Sequence, residues 1–282
     1  MNSKYEINTK ENREFLKASC EDLLNFGHRF PSPNGGSYYL GDDGTPWKDR
    51  NRETWITCRM AHVYSLGLML GHEGSGELVD AALKGLRGEL HDDKNGGWYA
   101  GVTQEGGIVP NKQCYAHAFV ILAASSALTA GRPGAKELLE EAVAVYDRHF
   151  WNEEEGLACD TWNTEFTVLD DYRGLNANMH TVEAFLAAGD VIGDKKYHIR
   201  AGRIIDHVIG WAEDNNWRIP EHFTKGWVAD LDCNRDRPDD PFKPYGATPG
   251  HGIEWARLIT QWALANCREE KEKLEKYLQA AE

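Results

Sequence analysis

Several familiar signatures are missing from this chain. It has no Cys-x-x-Cys pair, no Gly-x-Gly-x-x-Gly loop, no Walker-type loop, no Gly-x-Ser-x-Gly elbow and no His-Glu-x-x-His helix. Zinc-ribbon, dithiol-redox, common nucleotide-binding, serine-hydrolase and zinc-protease readings therefore lack support. Positive charge is also short. Lys and Arg number 31 against 45 Asp and Glu, giving a net charge of −14. Such a surface repels phosphate backbones, so nucleic acid and anionic membranes are poor partners. Long hydrophobic runs are absent too. The longest nearly apolar stretch, Ala118 to Ala130 (AFVILAASSALTA), falls short of the roughly 20 residues a membrane helix needs. It reads as a buried helix. The opening MNSKYEINTKENREF has no apolar segment of the kind a secretory signal carries, so a cytoplasmic protein is expected.

What is present is ordinary for a globular chain. Of 282 residues, 41% are hydrophobic and 27% charged, which excludes wholesale disorder. The length suits one large domain over residues 1–282, with ample chain to bury a core. The six cysteines, Cys20, Cys58, Cys114, Cys159, Cys233 and Cys267, are expected as reduced, mostly buried thiols, because a chain of this size needs no disulfide staples. Ten Trp is a large number. Each is a core residue by default, although Trp also stacks on flat ligands such as sugar rings.

Two kinds of helix alternate along the chain. Four segments are apolar nearly all round and rich in small residues: Trp55–Gly71, Lys112–Gly131, Asn176–Gly193 and His251–Asn266. A helix apolar on every side is expected to be buried on every side. Three of the four end in Gly, which suits a helix C-cap. Each is followed by an amphipathic segment: Gly76–Leu90, Gly134–Phe150, Lys195–Glu213 and Arg268–Glu282. In the second of these, Leu138, Leu139, Ala142, Val145 and Tyr146 form one apolar stripe. A further amphipathic helix, Thr9–Gly27, comes first. Turn-rich stretches around Asn95–Tyr99 and Glu155–Leu157 read as hairpins at one end of the helices.

Buried inner helices wrapped by outer ones make an all-α fold, an (α/α)6 toroid with short β-hairpins in its loops. An open α-solenoid would show more uniformly amphipathic helices. A closed six-hairpin ring needs twelve helices, and the pattern supplies nine. The last segment is still in helical rhythm at Glu282. The expectation is a single barrel domain lacking its C-terminal helices, since an open arc would expose apolar inner faces. Such edges would also favour homo-oligomers.

Polar groups gather at the starts of the inner helices. His180 and Glu183 open the third, and His251 and Glu254 open the fourth. Positions i and i+3 share a helix face, so each His is expected beside its Glu. A carboxylate next to an imidazole orients it and raises its basicity, as general base catalysis requires. A lone His at a helix start is more often a cap or packing group; its recurrence in two repeats favours function. Arg59 lies on an otherwise apolar helix, where a buried guanidinium must pair or bind something. A structural salt bridge is the bland alternative. Asn176, Asn178 and Tyr115 could hold sugar hydroxyls, or could simply cap helices and satisfy the core. Glu221, in the probable strand Glu221-His222-Phe223, is either functional or a hairpin lock. A metal is not expected. Helix-bundle metal sites use Glu-x-x-His, the reverse order. The EF-hand-like run from Asp230 to Asp236 has Arg235 at the obligatory Gly position and Pro241 at that of the bidentate Glu.

These motifs closely resemble the N-acylglucosamine 2-epimerase superfamily, and most of all its bacterial aldose–ketose isomerases, which act on mannose or sulfoquinovose. The resemblance is carried by Trp55 through Arg59, Tyr115 through Phe119, Asn176 through His180, Glu221 through Phe223, and Pro241 through Glu254 (PFKPYGATPGHGIE). It spans the whole chain. It implies an (α/α)6 barrel with a central active site and metal-independent, cofactor-free interconversion of an aldose and a ketose through a cis-enediol. It implies a monosaccharide substrate. His251 would be one of two acid/base histidines, supported by Glu254. His180 would bind the sugar and assist ring opening. Asn176, Arg59, Tyr115 and Trp55 would bind or orient it. The family's second catalytic histidine lies on a late inner helix, and this sequence ends before that point. The competing expectations are a 2-epimerase of an N-acylated sugar or a disaccharide, a glycoside hydrolase using Glu221 and Asp230, and a silent sugar-binding module.

Overall fold

A computed structural model describes residues 3–282. Among the described residues there are nine α-helices: α1 Lys10–Gly27, α2 Thr54–Met69, α3 Ser75–Leu86, α4 Cys114–Thr129, α5 Ala135–His149, α6 Leu175–Ile192, α7 Lys195–Asp214, α8 Pro249–Asn266 and α9 Lys271–Ala281. α2, α4, α6 and α8 form an inner row, each packed on the next. α3, α5, α7 and α9 pack behind them in the same order. This is the toroid architecture of alternating inner and outer helices.

Local chemistry explains where the helices start and stop. Thr9 caps α1, its side chain accepting from the amide of Asn12 at 3.1 Å. α2 and α4 end alike. The amides of His72 and Arg132 reach back to the carbonyls of Gly67 and Ala127, each at 2.9 Å. The intervening Gly71 and Gly131 sit at φ +83° and +70°. That is the six-to-one closure of a Schellman cap, in which a left-handed residue is needed and Gly adopts it without a Cβ clash. Asp194 caps α7 through the amide of Lys196. Pro249 opens α8, where its missing N–H costs nothing.

The core runs between α4 and α6. Nearly every residue of α4 from Ala116 to Ala127 is buried, and α6 buries Val182, Ala184, Phe185, Leu186 and Ala188. Small side chains let these helices approach closely. Tyr146 of α5, Thr181 of α6 and Cys114 of α4 form a buried hydroxyl–thiol network across the joint. Outer helix α7 meets α8 at Gly202. A Cβ there would fall 2.4 Å from the Trp262 ring, so only Gly permits this packing.

Complete burial does not extend to every inner helix. On α2, Val63, Leu66 and Met69 are exposed, and on α8 Ile253 and Leu264 are exposed. All-round apolarity thus overstates burial for these two. Their exposed faces meet no covering element among the described residues.

Short antiparallel strands gather where the inner helices begin. Arg52–Glu53 leads into α2, Asn111–Gln113 into α4 and Arg173–Gly174 into α6. Asn111–Gln113 pairs with Thr161–Asn163, with Lys112 opposite Trp162. Arg173–Gly174 pairs with His222–Phe223, with Gly174 opposite His222. The hairpin expected near Glu155–Leu157 is the pair Trp151–Asn152 and Leu157–Ala158. The stretch near Asn95 forms a tight turn closed by the bridge between His91 and Trp98. All six cysteines are free thiols; four are buried, while Cys20 and Cys233 are partly exposed.

Candidate active site

The strand pairings bring distant residues to the helix starts. Because Gly174 pairs with His222, the amide of Leu175 bonds to the carbonyl of Glu221 at 3.0 Å. Glu221 therefore sits against the first turn of α6, facing α8. Its carboxylate holds His251. Nδ1 of His251 lies 3.0 and 2.9 Å from the two oxygens of Glu221. This corrects the expectation that Glu254 supports His251. Glu254 is exposed and makes no hydrogen bond to the ring. Its charge still reaches His251 through space. The hydrogen bond to Glu221, opposed by partial burial, raises the His251 pKa above its ordinary 6.5. Since the carboxylate is an acceptor, Nδ1 carries the hydrogen and Nε2 is left as the basic nitrogen. Among the described residues, Nε2 has no hydrogen-bond partner.

The other pair is arranged as its spacing suggested. His180 Nδ1 lies 3.1 Å from Glu183 one turn along α6. The second oxygen of Glu183 accepts from Arg257 of α8 at 2.7 Å. Burial alone would raise the Glu183 pKa, but the His180 and Arg257 bonds and charges outweigh it and hold the group at about 2. His180 is also packed by aromatic rings. Phe119 is 4.5 Å away between centroids, and Tyr115 stands edge-on at 5.1 Å.

Arg59 is exposed and has no carboxylate partner among the described residues, so the buried salt bridge weighed for it is not formed. It donates to the Tyr115 hydroxyl at 3.2 Å. Its guanidinium lies over Trp55 and Phe119 at 5.1 and 4.8 Å. Such stacking keeps a cation in place without neutralising it.

Beside this cluster lies a cavity of about 360 Å³. Trp55, Tyr115 and Asn176 line it. His180 and His251 do not, although Tyr115 touches His180 directly. Asn178 turns inward instead, bonding Ala158 and Gly174. It is a structural clamp, one of the two roles open to it.

Spacing gave no role to several further residues. The segment carrying Phe242 and Lys243 covers one side of the cavity. His222 pins it, with Nε2 2.7 Å from the carbonyl of Pro244 and Nδ1 2.7 Å from the Tyr172 hydroxyl. A carbonyl can only accept, so Nε2 is the donor and Nδ1 receives the phenol proton. Phe242 meets Trp55 at 6.0 Å, and Lys243 sits over Tyr172 at 3.6 Å. Asp160 also lines the cavity; burial raises its pKa. Phe242 and Lys243 fall within the motif from Pro241 to Glu254, which was the available signal.

Two imidazole–carboxylate pairs thus lie beside a polar, aromatic-walled cavity at the starts of the inner helices. The chain belongs to the N-acylglucosamine 2-epimerase (GlcNAc 2-epimerase) family, whose model matches residues 35–282. It is 43% identical over 249 residues to a D-mannose isomerase of Thermobifida fusca, covering 88% of this chain and 61% of that protein. It is 39% identical over 263 residues to a D-mannose isomerase of Pseudomonas cannabina pv. alisalensis, covering 93% and 63%. A crystal structure of D-mannose isomerase superposes with a TM-score of 0.85 at 28% identity, covering 98% of this chain and 71% of that one. The chain thus spans about three-fifths of the length of the curated relatives it matches.

Proposed function

We propose that the chain carries the core of an aldose–ketose isomerase acting on a neutral sugar of the mannose/fructose type. One observation carries the reading: the His251 imidazole, held through Nδ1 by both oxygens of Glu221, offers Nε2 as a base. Its relatives' identity as D-mannose isomerases supports the substrate class.

The chemistry follows from this geometry. In the open-chain aldose, the base removes the C2 proton. The C–H electron pair becomes the C1–C2 double bond of a cis-enediolate, and charge moves onto O1. Return of the proton to C1, with transfer of the O2 proton to O1, gives the ketose. An imidazole, whose ordinary pKa is about 6.5, suits such reversible transfer. Arg59, a cation beside Tyr115, steadies the developing charge, and His180, whose Nδ1 donates to Glu183, offers Nε2 as an acceptor to a sugar hydroxyl. Trp55 and Asn176 hold the sugar from the cavity side. Glu254 adds negative charge at the same mouth. The reaction is intramolecular and needs no external oxidant or cofactor.

The second reading is 2-epimerisation, favoured by the family to which the chain belongs. Return of the proton to the opposite face of C2, instead of to C1, would give it. Incubation with mannose followed by product chromatography separates the two. A fructose peak supports isomerisation. A glucose peak without fructose would replace it with epimerisation.

A further inference from the structure

Asn111, Gln113 and Asn176 are partly buried residues lining the cavity. None of their side chains makes a hydrogen bond among the described residues. Half-buried carboxamides normally find partners. In this chain Asn178 makes three such bonds and Asn163 several. A carboxamide offers a donor and an acceptor side by side, which matches the paired donor and acceptor of a hydroxyl.

The backbone explains why two of the three face the cavity. In a strand, alternate residues point to opposite faces. Asn111 and Gln113 therefore share one face, and Lys112 takes the other. Lys112 is fully buried there. Its ammonium bonds Asp92 and the carbonyl of Gly96, each at 2.9 Å, and lies over the Tyr99 ring at 4.5 Å. Asp92, also fully buried, accepts from the amides of Lys94 and Asn95. The Gln113 carbonyl is held in addition by His117 Nδ1 at 2.7 Å. A strand slip of one residue would turn Lys112 into the cavity and leave Asp92 without its cation, at a heavy cost.

Resting on the isomerase reading, we infer that Asn111 and Gln113 are specificity-determining residues that bind sugar hydroxyls remote from the reacting carbons. The buried Lys112–Asp92 pair is the positioning device that presents them. Both carboxamides are distinct from the imidazole pairs, because the cavity lining excludes His180 and His251. Their loss should weaken binding and spare the proton-transfer step.

The test compares the wild-type chain with Gln113→Leu, Asn111→Leu and the double variant. Mannose and fructose affinity is read by calorimetry, and KM and kcat are read where turnover is measured. Each single change should weaken binding about 5-fold and the double change about 30-fold, as expected for one neutral hydrogen bond lost per residue. Any kcat should move less than about 3-fold, with the pH profile unchanged. Among the 3-, 4- and 6-deoxy sugars, one that lacks a hydroxyl these residues bind should lose less affinity than mannose does on going from wild type to the double variant. Wild-type binding retained in full by a folded double variant overturns this inference alone. So does a loss equal in size for mannose and all three deoxy sugars. Failure of the wild-type chain to bind either sugar overturns the isomerase reading and this inference together.

Discussion

The two His-x-x-Glu motifs look alike in sequence, yet their histidines take differently placed carboxylates in the structure. On α6, Glu183 divides its oxygens between His180 and the Arg257 cation. At α8, Glu221 gives both oxygens to His251 and pairs with no Lys or Arg among the described residues. A carboxylate shared with a guanidinium does less to favour a protonated imidazole, because its charge is partly neutralised. The undivided carboxylate favours the protonated form of His251 and raises its pKa. The divided one orients His180, whose ring is packed by Phe119 and Tyr115. How each carboxylate is shared is what spacing alone does not reveal.

The sharpest way to break this comparison is to remove one carboxylate at a time. Glu221→Gln, which takes away the carboxylate that orients the His251 base, should lower turnover of mannose by about 10²-fold or more, within the roughly 10²- to 10⁴-fold that general base catalysis contributes. Equal losses for Glu221→Gln and Glu183→Gln would erase the distinction. The Glu221 pair also has a stability signature of its own. A raised His pKa stabilises the fold fully below the unfolded value near 6.5, and this contribution disappears as pH rises through the raised folded value. Glu183→Gln should instead act mainly on stability. Holding Glu183 at about 2, against 4.5 when unfolded, stabilises the fold above pH 4.5 and is lost as pH falls toward 2. Denaturant titration at pH 7 should show a loss of roughly 2–3 kcal/mol, with a flatter acid limb.

His117 supplies a control with no carboxylate at all. It is fully buried, donates from Nδ1 to Gln113 and accepts at Nε2 from the Trp98 amide. Burial is the main cause that lowers its pKa to about 3. The unfolded chain therefore binds this proton first as pH falls below 6.5. At pH 5 the wild type should have lost roughly 2 kcal/mol through this group, and His117→Gln should abolish that part of the slope. The smallest effect is expected at Arg257. Half exposed, it should contribute no more than about 1 kcal/mol to stability, so Arg257→Ala should melt close to wild type.

Much of the frame was legible because apolar periodicity is local. The expected inner helix Asn176–Gly193 is observed as Leu175–Ile192, and Trp55–Gly71 as Thr54–Met69. His180 and Glu183 were legible for the same reason, being one helical turn apart. The His251 partner was not. Glu221 is 30 residues away, and its place depends on the pairing of His222 with Gly174, which no single-segment pattern encodes. Burial was overestimated where a residue's hydrophobicity exceeds what its neighbours cover. Ile253 on α8 is 75% exposed, and Trp217, presumed core, is 56% exposed. Gln113 was hidden because a strand of three residues gives too short a pattern to show which face it presents.

The most direct test of the division between the two pairs is the titration of His251 followed by NMR in wild type, Glu221→Gln and Glu183→Gln. The ring should titrate above 6.5 in wild type, fall in Glu221→Gln, and stay at its wild-type value in Glu183→Gln. An unmoved His251 titration in Glu221→Gln would contradict the assignment of Glu221 as the group that makes His251 the base.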